Sequence, residues 1–419
     1  MSDCGRSQRA RFVAPVAVTV AAWGLLVGPT HGQPLTGQVS LEGRLFAQDA
    51  LRDDLQTANV SIAVEPEFYH DLDDGRQSLT VVPFFRWDQH DRDRTHWDFR
   101  EFSWQYFARN WELRAGVRKV FWGVTESNHL VDVINQTDLV EDLDGEAKLG
   151  QPMVNLAVIQ PWGTLDVFAL IGFRERRYFG EEGRPGIPFP LDASSSKVDG
   201  GNLGWAIRWA HATGPVDIGV SHFQGTTRDP RFFIGDQPIL LGDFLPSLNL
   251  AGGGSPPEII PTYERIKQVG LDLQLTMSGW LLKLETINRW GQGPRFAAAT
   301  GGFEYTLGDF RSTGLDLGVL AEYSYDERGA EALTPLEDDV FVGARLAFND
   351  VQSTEFLAGA AVDRASGASF LLVEASRRLG ERSTLDMRVR GFVGVPPDDL
   401  FLYGIRNDDY VQASWTLYF

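Results

Sequence analysis

The feature that most constrains this chain is a period of two that runs through nearly its whole length. Leu271, Leu273, Leu275 and Met277 alternate with Asp272, Gln274 and Thr276. Leu315, Leu317, Val319, Ala321, Tyr323 and Tyr325 alternate with Asp316, Gly318, Glu322, Ser324 and Asp326. Leu385, Met387 and Val389 alternate with Asp386, Arg388 and Arg390. Successive side chains on a strand point to opposite faces, so each segment carries one apolar and one polar face. No segment of comparable length has a helical period. About eighteen such segments are counted, near 37–47, 58–69, 78–88, 97–108, 111–121, 152–160, 164–174, 202–211, 215–224, 264–277, 280–290, 301–308, 314–325, 339–348, 354–363, 369–378, 384–394 and 409–419, with sixteen as the alternative count. Most are long enough for a tilted strand to cross the hydrocarbon core of a bilayer.

The connections add a second constraint. Alternate ones are short and rich in turn residues, at 71–75, 109–110, 161–163, 213–214, 278–279, 309–313, 349–350 and 380–382. The others are long, at 48–57, 89–96, 122–151, 175–201, 225–263, 291–300, 326–338 and 395–408, apart from the short one at Ala365-Ser366-Gly367. A transmembrane β-barrel sorts its connections in this way, with short turns at one rim and long loops at the other. A soluble sandwich has no reason to. The last segment sets Val411, Ala413, Trp415, Leu417 and Phe419 against Gln412, Ser414 and Thr416. As a soluble edge strand it would be an aggregation hazard; in a barrel its aromatics suit the interfacial girdle.

Composition removes the competitors. The 419 residues carry 57 acidic against 38 basic side chains, a formal charge of -19. A nucleic-acid binder needs a basic footprint instead. At 43% hydrophobic and 12% aromatic the chain is not disordered. Past residue 32 it has no apolar run long enough for a membrane helix. Before that point Arg6, Arg9 and Arg11 precede an apolar stretch from Val13 to Gly28, followed by Thr30-His31-Gly32. This pattern predicts a secretory signal peptide over 1–32, cleaved near Gly32/Gln33, with the barrel over 33–419. Cleavage removes three arginines and Asp3, a net +2, so -19 becomes -21. The single cysteine, Cys4, would leave with it, so the exported chain would have no disulfide or thiolate site.

With its leader, its loop parity and its terminal Phe419, the chain resembles Gram-negative outer-membrane porins. The resemblance covers the whole mature length. It implies an all-β fold: a transmembrane antiparallel β-barrel in the bacterial outer membrane, with short periplasmic turns and long outer loops. It also implies outer-membrane lipid as surroundings and the barrel-assembly machinery as a partner for the last strand. Whether the chain forms a homo-oligomer is left open.

In porins the third outer loop commonly folds into the lumen and narrows it, so the resemblance implies a constriction over 122–151. The residues there suit such a role. Val131, Val133, Ile134, Leu139 and Val140 are candidates to anchor the loop on the inner wall. Asp132, Asp138, Glu141 and Asp142, with Asp144 and Glu146, would form an acidic rim. Arg44, Arg86, Arg114 and Arg118 fall on polar faces of the preceding strands. If they face the rim, opposed charges across a wet gap give a transverse field that filters ions. The plainer alternative pairs each arginine with strand neighbours such as Glu42, Glu65, Glu67 and Glu112. Other inward charges are mixed, with Arg208, Lys283, Arg289, Arg345, Arg388 and Arg390 against Asp217, Asp272, Glu285, Asp316, Glu322 and Asp386. The net acidity tilts the expectation towards cations.

The longest loop, near 226–262, is apolar for a loop; packing on its neighbours is the plain reading and a lid the other. Nothing fixes a catalytic set or a histidine pair at metal spacing. Residues 141–146 depart from the helix-flanked calcium-loop pattern. No cofactor, metal, enzymatic activity or nucleic-acid partner is expected. The expected function is passive diffusion of small polar solutes or ions. A substrate-selective transporter or exporter stands second and a barrel enzyme third.

Overall fold

A computed structural model describes residues 35–52, 54–186, 191–199, 203–234, 237–238, 259–397 and 399–419. The leader expected over 1–32 and the middle of the longest loop lie outside the described residues.

Eighteen strands form one antiparallel sheet that closes on itself. In chain order they are β1 (Leu35–Phe46), β2 (Ala58–Leu72), β3 (Gln77–Asp88), β4 (His96–Phe107), β5 (Trp111–Arg118), β6 (Gln151–Gln160), β7 (Gly163–Ile171), β8 (Leu203–Thr213) and β9 (Val216–Thr226). They continue as β10 (Arg265–Met277), β11 (Trp280–Trp290), β12 (Phe296–Leu307), β13 (Asp316–Asp326), β14 (Asp338–Ala347), β15 (Glu355–Asp363), β16 (Ser369–Arg378), β17 (Ser383–Val393) and β18 (Tyr410–Tyr418). Each pairs with its sequence neighbours. The seam joins β1 to β18, with Leu41 opposite Trp415 and Arg44 opposite Gln412. Beyond the last strand, Gly37 and Phe419 exchange two backbone hydrogen bonds of 3.0 Å. Closure leaves no edge, which is what a sheet needs where water cannot satisfy its backbone.

The alternation sorts the side chains inside out relative to a soluble protein. On β1, Glu42 and Arg44 are buried while Leu41 and Leu45 are exposed. On β10, Gln268 and Asp272 are buried and Val269 is exposed. On β18, Gln412 and Thr416 are buried beside exposed Val411, Trp415 and Leu417. An apolar exterior of this kind, with Trp97, Trp111, Trp162, Trp205, Trp280 and Trp290 among its exposed aromatics, is matched to a bilayer with its interfacial girdles.

The short turns are hairpins with the chemistry their geometry requires. Ser278 and Gly279, at φ 41° and 90°, join β10 to β11. Two positive φ values in a two-residue loop match the twist of the flanking strands, and glycine makes the second one cheap. The long connections carry more structure than their sequences announce. Arg231–Ile234, Gln237–Pro238, Ile260–Tyr263 and Lys197–Val198 form a small four-stranded sheet that joins the connection between β7 and β8 to that between β9 and β10. A six-residue helix, Leu400–Ile405, capped by the Asp399 carboxylate, lies between β17 and β18.

Candidate functional site

Between β5 and β6 the chain does not turn back at the rim. Residues 119–150 run through the barrel and bond to inward side chains from opposite parts of its wall. Gly116, at φ 135° near the end of β5, helps launch the segment. A Cβ there would lie 2.0 Å from the Phe102 carbonyl oxygen, so only glycine fits.

One side of the segment is held by packing. Trp122, Val131, Val133 and Ile134 form a buried cluster with Met153, Phe168, Leu170, Ala206, Phe223, Ile266, Ile287 and Phe296, which project inward from β6–β12. These wall residues interrupt otherwise polar inward faces. Ile287 stands between Glu285 and Arg289, and Phe223 follows Ser221. Burying an aliphatic or aromatic side chain contributes about 1.5–3 kcal/mol, so this cluster fixes the segment against the β6–β12 part of the wall.

Two wall carboxylates then take up the segment's backbone. Glu285 of β11 accepts from the amides of Val124 (2.6 Å), Thr125 (3.0 Å) and Val131 (3.1 Å), and from the Thr125 hydroxyl (2.7 Å). Glu322 of β13 accepts from the amides of Glu126 and Ser127, each at 2.8 Å. Backbone with no strand partner must be satisfied somewhere when buried, and here it is satisfied by acids on the wall. Arg345 of β14 reaches the Glu126 carboxylate at 2.7 Å.

The far part of the segment meets arginines. Arg86 of β3 grips Glu141 at 2.6 Å, and Arg100 of β4 grips Asp138 at 2.6 Å. Arg94, from the connection between β3 and β4, donates to the Val140 carbonyl at 2.7 Å and pairs with Asp88 and Glu42 at 2.7 and 2.8 Å. On β17, Arg388 pairs with Asp142 at 2.5 Å and Arg390 with Asp144 at 3.0 Å. From the long-loop side, Arg228 donates twice to the Ile134 carbonyl, at 2.9 and 2.7 Å.

The eight residues singled out from sequence thus fall into different surroundings. Asp138, Glu141 and Asp142 face wall arginines. Arg86 faces the segment but also Glu42, at 3.4 Å. Arg44 pairs with its strand neighbour Glu42 at 3.2 Å and donates to the Glu141 carbonyl at 3.3 Å. Arg114 is taken by Glu112 on its own strand and lies 3.4 Å from Asn155 on β6. Arg118 makes no hydrogen bond through Nε or Nη1, while its carbonyl accepts from Asn135. Asp132 turns inward on the segment and accepts from the amides of Trp122 and Gly123. Sequence reasoning passed over Arg94 and Arg100. Both sit in the Asp-Arg-Asp-Arg-Thr-His-Trp-Asp-Phe-Arg stretch from Asp91 to Arg100, whose density of arginine was the available signal.

The segment's charges are tuned by this setting. Burial works against ionisation of Glu141, but the guanidiniums of Arg86, Arg94 and Arg100 outweigh it and hold the carboxyl down at about 2. Burial, then the charge of Asp142, pushes Asp144 up to about 7. Burial opposes the charge on His129, yet Glu146 at 2.6 Å and Glu285 at 3.7 Å keep it protonated up to about 10.

Beside the segment lies a cavity of about 420 Å³, lined by Glu42, Glu65, Arg86, Arg100, Asp144 and Arg388 among others. Gln38, Ser40, Ser414 and Thr416 extend its wall towards the rim that holds both ends of the barrel.

No family model matches this chain, and no curated protein sequence does. Solved structures do. Wzi of Escherichia coli, described as an outer membrane protein involved in group 1 capsule assembly and as a carbohydrate-binding β-barrel, aligns with a TM-score of 0.51 at 9% identity, over 91% of this chain and 84% of that one. Two mutants of the Rh. blastica porin align with TM-scores of 0.44 and 0.43 at 11% identity, over 92% of this chain and 99% of theirs. At such identities the likeness to Wzi is one of fold: this chain is similar to a closed outer-membrane barrel.

Proposed function

We propose that this protein is an outer-membrane channel for passive diffusion of small polar solutes or ions, with residues 119–150 as its constriction. One observation carries the reading. The segment crosses the barrel from Glu285 and Glu322 on one side to Arg86, Arg100 and Arg388 on the other, and a charged cavity remains beside it. Barrels of sixteen to eighteen strands enclose an aqueous channel, and an inserted segment with fixed charges of both signs selects by size and field. Arg86 and Arg100 are in direct ion-pair contact with Glu141 and Asp138, and this wall of mixed charge borders the cavity that remains. The apolar exterior suits a bilayer, and the bacterial outer membrane is the location this reading implies. The test is liposome swelling with the purified, folded chain over a panel of sugars, amino acids and organic anions. Size-dependent swelling supports a diffusion channel; no swelling with any solute removes it.

A saccharide-binding barrel is the second reading. Wzi is described as carbohydrate-binding, and the cavity here is lined by Gln38, Gln412, Ser414 and Thr416 beside its charges, groups suited to sugar hydroxyls. Saccharide binding without solute flux favours it over the channel.

A further inference from the structure

His96 stands at the start of β4, forty-odd residues from Asp138 and Glu141 in sequence, yet ligand atoms of all three lie within 4.8 Å of one another. Their side chains are nearly withdrawn from solvent, with relative exposures of 9%, 0% and 12%. The hydrogen bonds around them leave a gap of one kind. His96 Nδ1 sits 2.8 Å from the Arg94 carbonyl oxygen. A carbonyl only accepts, so Nδ1 carries the proton and the neutral ring presents a lone pair at Nε2. That Nε2 is buried without a hydrogen-bond partner, and so is Asp138 Oδ1. Glu141 Oε1 lies 4.0 Å from Nε2, beyond hydrogen-bond reach. Two of the three electron-pair donors, His96 Nε2 and Asp138 Oδ1, have no hydrogen-bond partner, while Glu141 Oε1 already accepts from Arg86 Nε at 2.9 Å.

We propose that His96 Nε2, Asp138 Oδ1 and Glu141 Oε1 bind a divalent transition-metal ion of the zinc class and thereby tie the crossing segment to β4. An imidazole with two carboxylate oxygens is a borderline donor set that suits zinc better than calcium or magnesium. Bonds of about 2.0–2.2 Å in a tetrahedral shell place ligand atoms about 3.4 Å apart, so the side chains must draw together by up to about 1.4 Å to complete the set. The surroundings orient the ligands as metal sites require. A ligating histidine commonly donates its other N–H to a backbone carbonyl, as His96 does to Arg94. Arg100 occupies Asp138 Oδ2 at 2.6 Å, leaving Oδ1 to turn inward. Arg86 holds both oxygens of Glu141, Oε2 at 2.6 Å and Oε1 at 2.9 Å, so an ion at Oε1 would replace the weaker of these two contacts. Arg94 is paired with Asp88 and Glu42, and Asp98 with Arg174 at 2.9 Å, so Arg86 and Arg100 are countered mainly by Glu141 and Asp138, and the ion would share these carboxylates with them.

The test is a zinc titration of the full chain, folded in detergent and stripped with a chelator, with X-ray absorption at the zinc edge on the loaded wild type. One zinc per chain with one imidazole and two carboxylate oxygens is expected, weakened at least about 10-fold in His96→Gln and in Asp138→Asn. No stoichiometric zinc binding by the wild type overturns the proposal. So does unchanged affinity in a folded His96→Gln variant. Where a variant fails to fold, the absorption spectrum alone decides, and a shell with no imidazole or with several rejects the site. None of these readouts depends on solute flux.

Discussion

Arg86 and Glu141 meet at 2.6 Å inside the barrel, one on strand β3 and the other at the far end of the segment that crosses from β5 to β6. Both are almost shielded from solvent. Removing one partner of a buried ion pair leaves the other charge uncompensated, at a cost of roughly 3–5 kcal/mol. Arg100 remains 3.6 Å from Glu141, so Arg86→Met is expected to fall at the low end of that range. Limited proteolysis of the segment should accelerate, and Glu141→Gln should restore part of the protection in the double variant. Strict additivity of the two changes would show that the pair is not coupled.

Glu285 makes the corresponding prediction on the opposite wall. Its carboxylate satisfies three segment amides at once. Each buried amide left without a partner costs about 1–3 kcal/mol. Glu285→Ala should therefore loosen the first half of the segment and increase current noise in single-channel records. A record as quiet as that of the wild type would mean that packing alone holds the segment.

Asp144 gives a pH dependence. An acid pushed up to about 7 is largely protonated below that pH and charged above it. The cavity it lines should then gain negative charge as pH rises from 6 to 8, and cation preference should increase over the same interval. Asp144→Asn should flatten the profile. Reversal potentials in a salt gradient measure both, and a slope that survives the substitution points to another group.

Much of the barrel was legible because the signal for a two-faced strand is local. All eighteen alternating segments correspond to strands, and the short connections to hairpin turns. The inward and outward faces were legible for the same reason, as Leu271 against Asp272 illustrates. Where sequence reasoning thinned out was inside. Arg86 and Arg114 look alike on their strands, yet one reaches Glu141 and the other stays with Glu112. What separates them is the path of a segment whose course depends on contacts with β6–β12, far away in sequence. The apolar residues on polar faces, Phe223 and Ile287, recorded that path but had no stated partner. The small sheet between the β7–β8 and β9–β10 loops had no period to announce it, since its strands are two to four residues long.

The outer face makes a prediction of its own. Val342 lies midway along β14 and is exposed. Arginine on the lipid face near the bilayer midplane destabilises a barrel by about 2–4 kcal/mol. Val342→Arg should lower folding stability in lipid vesicles by that amount, whereas Ser414→Arg, on the cavity wall, should be tolerated. Equal losses at both sites would contradict the assignment of faces.

The claim that residues 119–150 constrict a conducting barrel is tested most directly by planar-bilayer recording of two chains: the wild type, and a variant in which residues 124–146 are replaced by a short Gly-Ser linker. The account predicts stepwise conductance from the wild type and severalfold larger, less selective steps from the variant. Well-folded wild type that gives no steps, or a variant whose conductance and selectivity match the wild type, would contradict it.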